Sequence, residues 1–190
     1  MSDLTDTEHG DISEQDLKLL LKALAFAAHK HRDQRRKDVE ASPYINHPIA
    51  LGNILCNEGH ITDIEVICAA LLHDTIEDTD TTATDLEREF GRNICEIVLS
   101  VTDDKNLPPQ TRKQLQVEHA ANSSDQAKLV KLADKISNVR DIANSPPPSW
   151  DLQRRQKYFD WSRQVVDQLR GTHPQLEAAF DEAYRLRPDR

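Results

Sequence analysis

The sequence predicts an all-α protein, a compact bundle of roughly eight to ten helices in one domain. Three observations carry that expectation. Apolar residues recur at helical spacing along most of the chain. Ser/Thr-x-x-Glu/Gln signatures and glycines start and stop those runs. No two strand-like runs are joined by a hairpin turn. Composition agrees: of 190 residues 5% are aromatic and only 5 are Gly, whereas 30% are charged, a balance that suits helices better than a sandwich or barrel.

Residues 1–13 are polar and read as a flexible tail, with residues 14–190 forming the single domain. From Ser13 onward Leu17, Leu20, Leu21, Leu24 and Ala28 fall on one helical face, so a first helix is expected to run to about Gln34. RRKDVEASPY has no period and reads as a loop. A second helix starts near Asn46, tolerates Pro48 in its first turn and ends at Gly59. Thr62-Asp-Ile-Glu65 is a capping-box signature ahead of VICAALL, so a third helix is expected to reach about Asp78. Thr84-Asp-Leu-Glu87 repeats the signature for a short helix closed by Gly91. NICEIVLSV is rich in β-branched residues, yet Ile94, Ile97, Val98 and Val101 keep helical spacing. TDDKNLPP is a loop, TRKQLQVEHA a polar helix, and Ser123-Ser-Asp-Gln126 caps a helix through about Ala143. A Pro-rich break over 145–149 precedes a long helix from Trp150 to Arg170, closed by Gly171, and a last helix from Pro174.

Charge and cysteine content exclude several function classes. With 33 acidic against 24 basic residues the net charge is −9, a sign that repels a phosphate backbone and argues against nucleic acid as a partner. No uncharged stretch approaches the roughly 20 residues that span a bilayer, so no membrane partner is expected. Cys56, Cys68 and Cys95 are odd in number, sit in apolar runs and form no C-x-x-C pair, as buried free thiols of a reducing compartment would. The acidic N-terminus is the reverse of a signal peptide. A cytoplasmic location follows; the pattern sets no oligomeric state.

The chemistry lies where polar residues interrupt apolar helical runs. In His73-Asp-Thr-Ile-Glu-Asp78 a regular helix would stack His73 over Glu77 and Asp74 over Asp78. Three carboxylates so crowded repel one another unless a cation compensates, and a divalent metal does so most simply. In Lys131-Leu-Ala-Asp-Lys-Ile-Ser-Asn138 the apolar side is Leu132, Ala133 and Ile136, with Asp134 and Asn138 one turn apart beside it. Tyr44-Ile-Asn-His47-Pro48 places an imidazole at a helix start. Two imidazoles and two carboxylates form a mixed donor set suited to Mn2+, Zn2+ or Fe2+. Adjacent residues on a regular helix diverge, so His73 and Asp74 can share an ion only with favourable rotamers or a local distortion. Against the overall charge, Lys30, Arg32, Arg35, Arg36 and Lys37 face a single Asp33 between positions 30 and 37, offering guanidinium forks to a small phosphate-rich ligand.

The series His47, His73-Asp74, Asp134 resembles the metal signature of the HD phosphohydrolase superfamily. HRDQRRKD, PYINHP, LLHDTIEDT, VTDDKNLP, RKQLQVEHA, KLVKLADKISNVRD and YFDWSRQVVDQLRGT, in that order, resemble one branch of it, the stand-alone small alarmone hydrolases of the metazoan SpoT-homologue type. The resemblance implies hydrolysis of a nucleotide 3′-pyrophosphate, as in (p)ppGpp, with a small nucleotide as the substrate partner. It implies one Mn2+ held by His47, His73, Asp74 and Asp134, and Glu77 and Asp78 as the acidic pair that orients and activates water. It implies substrate contacts from Arg36 and Lys37, from Asn138 near the ribose, and from Tyr158 and Arg154 at the nucleotide. Some members carry a lysine where this chain has Pro109, which leaves base and 5′-phosphate preference open. The alternatives are an HD phosphohydrolase acting on (p)ppApp or NADPH, and an inactive HD domain that binds a nucleotide as a regulator.

Overall fold

The computed structural model of the protein describes residues 13–189, so the expected tail, apart from Ser13, lies outside the described residues. It is all-α, in the order α1 (Glu14–Lys30), α2 (Asn46–Asn53), α3 (Ile64–Leu72), α4 (Thr75–Asp78), α5 (Ala83–Phe90), α6 (Arg92–Val101), α7 (Pro109–Ala120), α8 (Asp125–Asn144), α9 (Leu152–Asp167) and α10 (Pro174–Tyr184). A π-helical turn, Ile54–Glu58, prolongs α2. Among the described residues there is one isolated antiparallel bridge, between Arg35 and Pro43.

Helix α3 is the buried axis. Every residue from Val66 to Leu72 is buried, and α1, α2, α6 and α8 pack around it. Burying a side chain the size of Leu72 is worth about 1.5–3 kcal/mol, so the apolar run fixes this helix in place before any polar residue is considered. Helix α8 crosses the bundle, touching α2, α3, α6, α9 and α10. The start of α2, the end of α3 and the middle of α8 thereby meet, and each carries one of the polar interruptions.

Several expected boundaries shift, each for a local reason. Helix α1 ends at Lys30 rather than Gln34, because the next backbone groups bond across the loop instead: Arg36 N donates to Ser42 O at 2.8 Å and Tyr44 N to Gln34 O at 3.1 Å. Its core-facing residues are Ala23 and Ala27, flanked by the partly buried Leu20 and Leu24, whereas Leu17 and Leu21 are exposed. The caps sit one or two residues from the expected sites. Asp63, not Thr62, accepts from Glu65 N; Thr82 and Asp85, not Thr84 and Glu87, form the capping box of α5; Ser124 caps α8. In each case the neighbouring residue also carries a side-chain oxygen, so composition alone does not choose between them. The long C-terminal helix starts after Asp151 and stops at Asp167. Cys56 is only half-buried, Cys68 and Cys95 are buried, and all three are free.

The correction that matters most is in the third helix. It does not run to Asp78: α3 stops at Leu72, and Asp74 takes φ −96°, ψ 0° before α4 begins. The buried Thr75 hydroxyl donates to Leu72 O at 2.6 Å, sealing the break. This is the local distortion that lets two adjacent residues turn toward one place.

Candidate active site

Three elements deliver the polar cluster. From the first turn of α2 comes His47, from the break after α3 come His73 and Asp74, and from the middle of α8 comes Asp134. Ligand atoms of His47, His73 and Asp134 lie within 4.8 Å of one another. Asp134 Oδ1 is 3.3 Å from His47 Nε2 and accepts from Asn138 Nδ2 at 2.5 Å, while Oδ2 pairs with Lys135 at 2.9 Å. Asp74 stands beside this group rather than in it: its Oδ2 is 2.9 Å from His73 Nε2 and accepts the Tyr44 hydroxyl.

The ring tautomers are set from outside the cluster. His73 Nδ1 lies 2.8 Å from Ala70 O, an atom that can only accept, so Nδ1 carries the proton of the neutral ring and Nε2 its lone pair. That Nε2 is buried and faces Asp74 Oδ2 at 2.9 Å, without the angle of a hydrogen bond. His47 Nδ1 is 3.3 Å from Ser137 Oγ. Burial pushes the His47 imidazole down, toward the neutral form that binds metals. Burial would lower His73 too, but the Asp74 and Asp134 carboxylates override it and hold it at about 9. Asp134 would be raised by burial, yet Lys135 and the two imidazoles hold it well below the usual carboxylate range. A buried imidazole nitrogen beside the Asp74 carboxylate, converging with a second imidazole and an ionised carboxylate, is a donor set that fits a first-row divalent ion able to displace the His73 proton.

The acidic pair is on α4, and its two members differ. Glu77 Oε2 accepts from Asp103 N at 3.1 Å, with Arg112 Nη1 3.5 Å from Oε1. Burial and the carboxylates of Asp74, Asp103 and Asp78 outweigh that backbone bond and push Glu77 up to about 7, the range in which a carboxylate exchanges protons at neutral pH. Asp78 is tied to Lys105 and accepts from Gln34 Nε2 at 2.9 Å.

Two connected spaces meet at the cluster. A cavity of about 490 Å³ is walled by the loop 34–44, by Asn138 and Asp141 of α8, and by Trp150 and Tyr158. A cleft of about 280 Å³, bordered by Asp74, Glu77, Asp134, Arg112 and Lys113, adjoins it and shares Arg36, Tyr44, His47 and Tyr158 with it. Together they are of a size that takes a nucleotide. Arg36 faces both, paired with Asp141 and 6.0 Å from the Tyr44 ring. Lys37 lies on the exposed rim of the larger cavity. Tyr158 sits between Trp150 and Trp161, with ring centroids 5.6 and 5.2 Å away. Arg154 does not line the cavity; it stacks on Trp150 at 4.5 Å and reaches the site through that ring. Of the basic stretch, Lys30 is spent on Asp80 and Arg32 on Asp33, leaving Arg35, Arg36 and Lys37 at the cavity.

Some residues of the site carry no signal in the sequence pattern. Tyr44 and Gln34 are single polar side chains in a loop without period. Arg112 and Lys113 belong to a helix that reads as solvated, and Trp150 and Trp161 read as ordinary core aromatics. Lys135 and Ser137 lie in the polar interruption of α8, and their position between Asp134 and Asn138 is the one cue that could have found them.

Comparison with known proteins agrees with this geometry. The model of a family described as HD domain matches residues 23–158. A zebrafish (Danio rerio) protein named guanosine-3′,5′-bis(diphosphate) 3′-pyrophosphohydrolase MESH1 is 55% identical over 166 residues, covering 87% of this chain and 92% of that one. The human protein of the same name is 55% identical over 168 residues, 88% and 94% of the two chains. Escherichia coli SpoT, a bifunctional (p)ppGpp synthase/hydrolase, is 35% identical over 150 residues, 76% of this chain but 20% of its own length. Among solved structures, one described as a metazoan ortholog of SpoT that hydrolyzes ppGpp superimposes with a TM-score of 0.87 at 51% identity, covering 89% of this chain and 95% of that one.

Proposed function

The chain belongs to the HD domain family, and from that premise we propose that it is a divalent-metal-dependent guanosine-3′,5′-bis(diphosphate) 3′-pyrophosphohydrolase with Mn2+ as its ion. The observation that carries the reading is the convergence of the buried His73 Nε2 with His47 and Asp134 beside a nucleotide-sized cavity edged by Arg36 and Lys37. His47, His73 and Asp134, with Asp74 beside them, would hold the ion. When bound, it supplies a Lewis acid that makes water a better nucleophile and draws charge from a phosphoryl oxygen.

The other roles belong to the chain itself. Water oxygen joins the phosphorus attached to O3′, the O3′–P bond breaks, and O3′ ends as a free hydroxyl while inorganic pyrophosphate departs. Glu77, poised near neutrality, accepts a proton from the attacking water and returns it to O3′ as that bond breaks, and Asp78 beside it keeps that water oriented. Arg36 leaves Asp141 to meet the 3′-linked phosphate, with Lys37 adding charge at the rim. Asn138 is placed for the ribose, and Tyr158, braced by Trp150, for the base; Arg154 stiffens that platform. Tyr44, by donating to Asp74, fixes the carboxylate nearest the break. Residues 14–190 act as one hydrolase domain, which their single continuous core supports. The free cysteines support a cytoplasmic location. Among the described residues no helix is long and apolar enough to cross a membrane.

The test is product analysis with ppGpp, ppApp and NADPH in added Mn2+, each with a chelator control. Pyrophosphate and a 3′-hydroxyl nucleotide should form from ppGpp and vanish with chelator. Turnover confined to ppApp or NADPH would reassign the substrate. Nucleotide binding with no turnover of any of the three would leave the regulator reading.

A further inference from the structure

The basic residues of this chain are mostly matched to carboxylates. Arg140 makes two bonds to Glu58 at 2.7 and 2.8 Å, Arg187 two to Asp160 at 2.8 Å, and Arg170 two to Asp181 at 3.0 and 2.5 Å. Among the described residues Lys113 makes no such pair, and at the larger cavity Arg35 and Lys37 make none either. Lys113 Nζ lies 4.9 Å from the ring centre of Trp161 and 5.5 Å from that of Tyr158. The Lys135 ammonium lies 4.3 Å from the same Trp161 ring. Two ammonium groups are thus gathered on one indole; Asp134 Oδ2 pairs with Lys135 at 2.9 Å, whereas Lys113 has only the ring against the repulsion of its neighbour.

Among the described residues no carboxylate compensates Lys113. Burial, Lys135 and Arg154 all act on it in the same direction, against its charge. Its backbone carbonyl accepts the Trp161 indole N–H at 3.0 Å, so lysine and platform are fixed to each other. On the preceding residue, Arg112 Nε is buried without a hydrogen-bond partner. Arg112, Lys113 and Lys135 all border the 280 Å³ cleft with Asp74, Glu77 and Asp134. None of them borders the larger cavity.

The two spaces are therefore charged differently in relation to the metal-binding cluster. The larger cavity alone is lined by Trp150, Arg35 and Lys37, while Arg36, Tyr44, Asn138 and Tyr158 border both spaces. The cleft alone is lined by Asp74, Glu77 and Asp134, and by Lys113, its one cation without a carboxylate partner among the described residues, since Arg112 lies 3.5 Å from Glu77 and Lys135 2.9 Å from Asp134. A substrate cut at its 3′-oxygen must place its nucleoside on one side of the cluster and its leaving pyrophosphate on the other. We propose that Arg112, Lys113 and Lys135, with Trp161 as their platform, form the seat of the substrate's terminal 3′-phosphate and of the inorganic pyrophosphate released. This rests on the 3′-pyrophosphohydrolase reading and adds to it the direction in which the nucleotide lies. Arg36 meets the phosphate that is attacked; Lys113 and Arg112 meet the one beyond it. A multiply charged anion inserted there relieves the repulsion between the lysines and satisfies the orphaned guanidinium nitrogen in one step.

The experiment is calorimetric titration of the full chain, loaded with Mn2+, with inorganic pyrophosphate and separately with GDP, for the parent protein, Lys113→Met and Lys113→Arg. Loss of one charge-assisted contact corresponds to about 10-fold to 100-fold in affinity. Lys113→Met should weaken pyrophosphate by that factor and leave GDP within about twofold, and Lys113→Arg should restore most of the loss. Unchanged GDP affinity also reports an intact fold. The proposal is overturned if Lys113→Met leaves pyrophosphate affinity unchanged, if the parent does not bind pyrophosphate, or if GDP weakens equally. Equal weakening would assign this wall to the 5′-diphosphate. Turnover of ppGpp by the parent chain is scored independently: its absence removes the enzyme reading, whereas intact turnover with an unaffected pyrophosphate affinity removes this seat alone.

Discussion

The metal-binding half of the site and its substrate half are built on opposite principles. His47, His73, Asp74 and Asp134 hang from α2, α3 and α8, the helices at the centre of the core, and their partners are fixed: Ala70 O, Ser137 Oγ, Tyr44 and Asn138. The substrate half rests on the loop 34–44, α7 and α9, and its charges are held by exchangeable ion pairs such as Arg36–Asp141 and Lys105–Asp78. The first half resists rearrangement because both imidazoles are buried and both carboxylates are held by fixed hydrogen bonds. The second expects rearrangement, since a phosphate must displace a carboxylate to reach Arg36. Pre-organisation and adaptability are thereby separated in space, about the His47 ring that both cavities share.

That contrast can be broken most severely at Asp134. Asp134→Ala should remove bound metal, measured by elemental analysis, and with it turnover down to background; a variant with full metal content and full rate would remove Asp134 from the ligand set. Glu77→Gln should keep the metal and lower kcat by about 10²–10⁴-fold. As a base Glu77 must be ionised. With its carboxyl pushed up to about 7, kcat/KM should fall as the pH drops through about 7, and this acid limb should disappear in Glu77→Gln. A limb that persists in that variant belongs to another group. Ser137→Ala removes the partner of His47 Nδ1 and should weaken metal affinity by about 10-fold to 100-fold while nucleotide affinity in saturating metal stays the same. On the adaptable side, Asp141→Asn should have the smallest effect. Freed of its ion pair, Arg36 should lower KM by a few-fold, about the worth of a half-exposed pair, with kcat unchanged. A raised KM would instead make Asp141 a positioning residue for Arg36.

The same division governs what could be read from the sequence. Helix faces and polar interruptions are local, so the bundle, the two histidines and Asp134 were visible in spacing alone. The break at His73 was visible only as a cost, because a continuous VICAALLHDTIED pattern reads as one helix; what ends it is a side-chain bond from Thr75 to Leu72 O, a competition that periodicity does not register. Lys113 and Trp161 lie in the resembling stretches RKQLQVEHA and YFDWSRQVVDQLRGT, but their pairing was not legible, since α7 and α9 are distant in sequence and it depends on a tertiary contact. Arg154 shows the opposite failure. Its spacing from Tyr158 put it on the right face, but the intervening Trp150 decides what it touches.

The break after α3 also bears on how the protein opens and closes. A four-residue helix such as α4 has no stability of its own, so the turn that carries Glu77 and Asp78 persists only because it is continuous with the buried end of α3. Local fraying cannot reach it without exposing Leu71 and Leu72. Backbone amides from Ala70 to Asp78 should therefore exchange with solvent deuterium only through global unfolding, and more slowly than those of the loop 34–44. The backbone that carries the acidic pair is then as durable as the fold itself, while the Lys105 partner of Asp78 stays exchangeable.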